Sequence, residues 1–181
     1  GLSGTLRRDL DALNHASGAG VAGFHAVTVA IHAGNGLLIL VLVRRFAIQL
    51  AETPAVAGWL ALATALIFVL HPVQTEAVTY ASGRSTSLSA LFALASVATW
   101  VSWRARPGRP VWLFLASLLL MVAGIATKET AAIVPAVLVL WEAADVSRAF
   151  DWRAAVARTG AHWLLLAFGL ALAMSLPAYR E

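Results

Sequence analysis

Six apolar runs follow one another along this chain, over residues 24–43, 55–70, 85–103, 111–127, 130–144 and 160–176, with only short polar joints between them. Each approaches the ~20 helical residues needed to cross a hydrocarbon core about 30 Å thick. Inside lipid every backbone polar group must find its partner within the protein, so runs of this length fold as helices. The recurrence predicts an all-α polytopic transmembrane bundle of about six spans. Composition agrees: 60% of the residues are hydrophobic and 12% charged, with a mean hydropathy of +0.80, against roughly 45–50% and 25% in soluble domains. The fifth run is short for a span and contains Pro135, which is tolerated where a bundle re-satisfies the freed carbonyl.

The basic residues set an orientation. Arg44, Arg45, Arg104, Arg106, Arg109, Arg148, Arg153 and Arg158 join runs on one side, and Arg7, Arg8, Arg84, Lys128 and Arg180 fall on the other. By the positive-inside rule the first group is cytoplasmic. Trp59, Trp100, Trp103, Trp112, Trp141 and Trp163 lie near that side and are expected to form an interfacial belt. A net charge of +4 distributed in this way points to lipid and not to nucleic acid. The absence of cysteine excludes disulfides and thiolate metal sites. No Walker loop, GxSxG elbow or HExxH helix occurs. Gly1 in place of an initiator Met, followed by a polar stretch and no signal region, leads to the expectation of a fragment or a processed chain.

Three polar stretches then converge on the outer side. Residues 71–84, HPVQTEAVTYASGR, separate the second and third runs. Pro72 suits a first helical turn and Gly83 a left-handed cap, so a short surface helix is expected, with His71, Thr75, Thr79 and Ser82 on one face and Glu76 and Tyr80 flanking it. Arg84 and Ser85 would then open the third span, where free N–H groups and a guanidinium make an anion seat; ordinary capping with a snorkelling arginine explains the same residues. Thr127-Lys128-Glu129-Thr130 forms a turn between two apolar runs. It is either a plain exposed turn or a place where Lys128 meets a phosphate and Glu129 a metal, a substrate hydroxyl or Arg84. Within the first run, His25, Thr28, His32 and Asn35 share one helical face beside Gly34 and Gly36. Polar glue between helices is the simpler account. Residues 1–23, with Leu2, Leu6, Leu10 and Leu13 at helical spacing, read as an amphipathic outer-face segment ahead of a transmembrane domain over 24–181.

The order FHAVTVAIHAGNGLL, HPVQTEAVTYASGRSTSLSALF and GIATKETAAIVPAVLVLWE resembles the membrane domain of the bacterial relatives of polyprenol-phosphate-mannose protein O-mannosyltransferases. These often carry tetratricopeptide repeats and belong to the GT-C class of glycosyltransferases. The resemblance implies a multi-span enzyme of the bacterial inner membrane. It would transfer a sugar from a polyprenyl-phosphate carrier to an acceptor at the outer, periplasmic face. It further implies that Arg84 and Lys128 face the carrier phosphate, and that His71 and Glu76 shape the polar cavity or hold a divalent metal ion, the one cofactor expected. Family members begin with a further span and an acidic outer loop, so the general base is expected upstream of Gly1; Arg8-Asp9-Leu10 stands where Arg-Pro-Leu would follow that loop. The alternative is a non-catalytic membrane subunit that packs against other proteins in a larger complex.

Overall fold

A computed structural model of the chain describes residues 20–51, 53–72, 81–145 and 149–175. Six α-helices and one 3-10 helix make up the described residues, and no strand occurs among them. In order they are α1 (Gly20–Ala47), α2 (Pro54–Leu70), α3 (Ala81–Ala105), α4 (Val111–Thr127), the 3-10 helix Glu129–Ile133, α5 (Val134–Ala144) and α6 (Trp152–Ser175). Three stretches within α1, α3 and α6, namely His25–Ala47, Gly83–Ala105 and Trp152–Leu172, are long and apolar enough to cross a membrane. α2 and α4 are shorter apolar helices of 17 residues. The fold is the all-α membrane bundle that hydropathy predicts.

Local chemistry explains the ends. Thr53 caps α2 by accepting the Val56 N–H at 3.3 Å, and Pro54 follows in the first turn, where its missing N–H costs nothing. Asp151 Oδ1 accepts the N–H groups of Arg153 and Ala154, starting α6 eight residues before its apolar run. Arg153 and Arg158 therefore lie inside a helix and not in the joint where hydropathy puts them. The fifth run divides: a 3-10 segment leads into α5, and Pro135 sits in the first turn of α5, fully buried. No internal carbonyl is lost, so the proline is a helix starter and not a kink.

α3 is the centre. It packs against α1, α4, α5 and the 3-10 helix, while α2 leans on α1, and α6 on α5 and more lightly on α4. Leu42, Val97, Trp100, Val101, Met121, Val134 and Leu138 form the apolar core. Trp100 is completely buried there, so it is no part of an interfacial belt; Trp59, Trp112 and Trp152 are the exposed tryptophans nearest helix ends. Association of helices in lipid relies on close packing and polar contacts, and both are present. α2 turns Ala57, Ala61 and Ala65 inward, and a Cβ on Gly36 of α1 would fall 2.5 Å from Val69 of α2. Midway through the bundle, Ser117 of α4 donates to the Ser96 carbonyl of α3 at 2.9 Å and meets His162 Nε2 of α6 at 3.0 Å.

Most of the amphipathic segment expected over 1–23 and the surface helix expected over 72–81, with Glu76 and Tyr80, lie outside the described residues. Ala81, Ser82 and Gly83 already belong to α3. Gly83 is helical and is no left-handed cap: Gly108, in the α3–α4 joint, is the described glycine with positive φ, at 74°.

Candidate functional site

The polar stripe of α1 gathers the site end of the bundle. Asn35 Nδ2 donates to the Ser87 carbonyl of α3 at 3.0 Å, and His32 Nε2 donates to the Val69 carbonyl of α2 at 3.2 Å, its ring stacked on Phe68. Thr28 is fully buried and His25 exposed. His32 and Asn35 are thus the interhelical glue that the spacing allows for, and they bring the last turn of α2 and the first turns of α3 together beside α1. His71 follows that last turn directly as its cap residue, its N–H bonded to the Ile67 carbonyl at 3.0 Å. Its side chain is exposed.

On the other flank of α3 stands the Lys128 turn. α4 stops at Thr127, Lys128 is extended with φ −161° and ψ 140°, and the 3-10 helix begins at Glu129. One hydroxyl holds this junction: Ser89 Oγ lies 3.1 Å from both the Gly124 and the Lys128 carbonyls and 3.4 Å from Thr130 Oγ1. Gly124 is required by the closeness of the pieces, because a Cβ there would fall 2.8 Å from Ala131 Cβ. So held, Lys128 extends along α3 and its Nζ donates to Thr86 Oγ1 at 2.7 Å.

Arg84 and Lys128 therefore occupy the same end of the bundle. They do not occupy the same side of α3. Residues 84 and 86 leave the helix about 200° apart; Arg84 is buried at 6% exposure, while Thr86 is exposed. An ionisable side chain buried in a membrane bundle is expensive and usually functional. Ser85 is half-buried. It sits five residues into the described part of α3, and its N–H is no longer among the first four that a helix leaves open. The described part of α3 thus begins ahead of Ser85 and not at it, and on either side of Ser85 the helix buries Arg84 and exposes Thr86. Glu129 is exposed in the first turn of the 3-10 helix. Among the described residues no cluster of three or more histidine and acidic side chains could hold a metal; a metal pairing of His71 with Glu76 involves a residue outside them.

The opposite end carries a cluster that hydropathy does not reveal. Glu142, on the last turn of α5, is 4% exposed. It receives Arg104 of α3 in a two-pronged contact, Nε at 2.6 Å and Nη2 at 3.3 Å, and Arg158 Nη2 of α6 on its second oxygen. Arg104 also lies over the Trp100 ring at 5.8 Å. From Arg84 to Arg104 is twenty residues of one helix, about 30 Å, so the two charged ends are separated by the thickness of a hydrocarbon core.

The chain is similar to a protein O-mannosyl-transferase, Tmtc2, of Drosophila melanogaster. The two are 32% identical over 125 residues, which take in 66% of this chain and 12% of the relative, so the chain spans about an eighth of that protein's length. No family model and no solved structure matches. The similarity supports a glycosyltransferase relationship for this membrane bundle.

Proposed function

We propose that this chain is part of the membrane domain of a glycosyltransferase that takes a sugar from a polyprenyl-phosphate carrier, with Lys128 meeting the carrier phosphate and Arg84, buried on the other side of the same helix end, adding its charge from within the bundle. The observation that carries the reading is the Lys128–Thr86 hydrogen bond, which brings a lysine from one hairpin onto the helix end bearing a buried arginine. The similarity to an O-mannosyl-transferase supports the same chemistry from a separate direction. The acceptor oxygen attacks the anomeric carbon as a base removes its proton, and the bond from that carbon to the phosphate oxygen breaks. Negative charge then grows on the departing phosphate. Fixed cations in a dry site stabilise it by several kcal/mol each. Lys128 is suited to this because a neutral hydroxyl positions it without cancelling its charge. Glu129, exposed next to it, is the described carboxylate best placed for an acceptor hydroxyl or a metal ion.

The orientation belongs to the same proposal. Arg44, Arg45, Arg104, Arg106, Arg109, Arg153 and Arg158 lie at the Glu142 end, against Arg84 and Lys128 at the other. The basic end then faces the cytoplasm and the Lys128 turn the outer, periplasmic side of a bacterial inner membrane. The test is binding of a polyprenyl phosphate to the full-length protein in nanodiscs. Arg84→Ala and Lys128→Ala are each expected to weaken it by more than ~1.4 kcal/mol, a factor of ten. Unchanged affinity in both variants rules the phosphate role out.

A further inference from the structure

A cleft of about 310 Å³ opens at the Glu142 end between α1, α3 and α5. Arg45, Gln49, Arg104, Glu142 and Asp145 supply its polar groups, and Val101 and Trp141 are among its apolar walls. Phe46 meets the Trp141 ring edge-on at 5.9 Å and helps to shape that wall. We propose that this cleft seats the phosphate of an anionic phospholipid. The proposal stands apart from the carrier reading, since the two sites lie at opposite ends of α3.

Charge is the first argument. Two guanidiniums share the single carboxylate of Glu142, whose side chain is 3% exposed, and the guanidinium side chains are themselves only 9% and 22% exposed. Two positive charges against one leave a surplus of one where water screens poorly. Arg45, exposed at the cleft, adds a third cation and Asp145 a second acid; the lining itself balances, Arg45 and Arg104 against Glu142 and Asp145, and the surplus positive charge among the described residues is that of Arg158, which meets Glu142 from outside the lining. A singly charged phosphodiester matches that surplus, and a planar guanidinium binds its oxygens in pairs.

Position is the second argument. The cleft lies at the end of the spans, about 30 Å along α3 from Arg84, which is headgroup level. Trp141 beside it has the amphipathic ring that favours this depth. Ile48 in the lining and Leu50 just beyond it are more than half exposed, leaving an apolar track beside the cleft for an acyl chain. A free phosphate ion would leave that track and the apolar walls unmatched; a diacyl phospholipid fills both.

The test uses the whole protein, reconstituted in phosphatidylcholine nanodiscs with and without phosphatidylglycerol, and native mass spectrometry to count retained lipids. One phosphatidylglycerol per chain is expected to be retained about tenfold better than phosphatidylcholine. Arg45→Gln, which removes a cleft cation, and Gln49→Trp, which fills the cleft without changing charge, should each abolish the preference. Arg106→Gln, at the same end but outside the lining, should leave it intact. Equal retention of the two lipids overturns the proposal, as does a preference that survives both cleft variants or is lost equally in Arg106→Gln. Complete displacement of phosphatidylglycerol by inorganic phosphate would also overturn it, by showing that the site takes the free anion.

Discussion

The two ends of α3 hold their cations by different means. At one end Lys128 rests on the hydroxyl of Thr86; at the other Arg104 and Arg158 grip the carboxylate of Glu142. A hydroxyl fixes the place of an ammonium group and leaves its charge available to an incoming anion. A carboxylate fixes place and consumes charge together, tying α3, α5 and α6 into one unit. The Glu142 end is therefore built first for cohesion, and the Lys128 end for encounter with a ligand.

Removing Glu142 should break this contrast most sharply. Glu142→Gln strands two partly buried guanidiniums, and the cost of breaking a buried pair is about 3–5 kcal/mol. Thermal unfolding in nanodiscs should show it as a large loss of stability; a change near zero would show that the pairs are dispensable. Next comes Gly124→Ala. The added Cβ meets Ala131, and overpacking of this kind costs about 1–3 kcal/mol. Because the strain falls on the Lys128 turn, carrier-phosphate binding should weaken along with stability, whereas Glu142→Gln should affect stability alone at temperatures where the protein remains folded. The smallest effect is expected midway between the ends: Ser117→Ala removes the Ser96 and His162 contacts, and such bonds in membranes average about 0.6 kcal/mol. A loss several times larger would make the centre, and not the Glu142 end, the main tether of α6.

How much of this was legible beforehand depends on the kind of signal. Hydropathy located every apolar run, and it matched α4 at both ends because charge and proline bound that helix directly. It failed at α6, where Arg153 and Arg158 lower the local hydropathy although Asp151 caps a helix through them. It failed in another way at Pro135, which reads as an interruption until the 3-10 turn makes it a beginning. The stripe from Thr28 to Asn35 and the place of Lys128 beside the start of α3 were readable from spacing and chain order. Glu142 was not singled out, because one acid at the tail of VLVLWEAA looks like the edge of a span. Its signal was the arginine excess on that side, which calls for a buried counter-charge. His162 could have been marked only as a lone histidine in an apolar helix, since Ser117 reaches it through the fold.

The bond network of Ser89 has a mechanical corollary. A single oxygen on α3 touches the end of α4, the extended residue and the start of the 3-10 helix, so the hairpin tip is pinned to the central helix at one point. Rotation of α3 about its own axis would carry the lysine and the buried arginine in a common arc, preserving their separation while changing what each one faces.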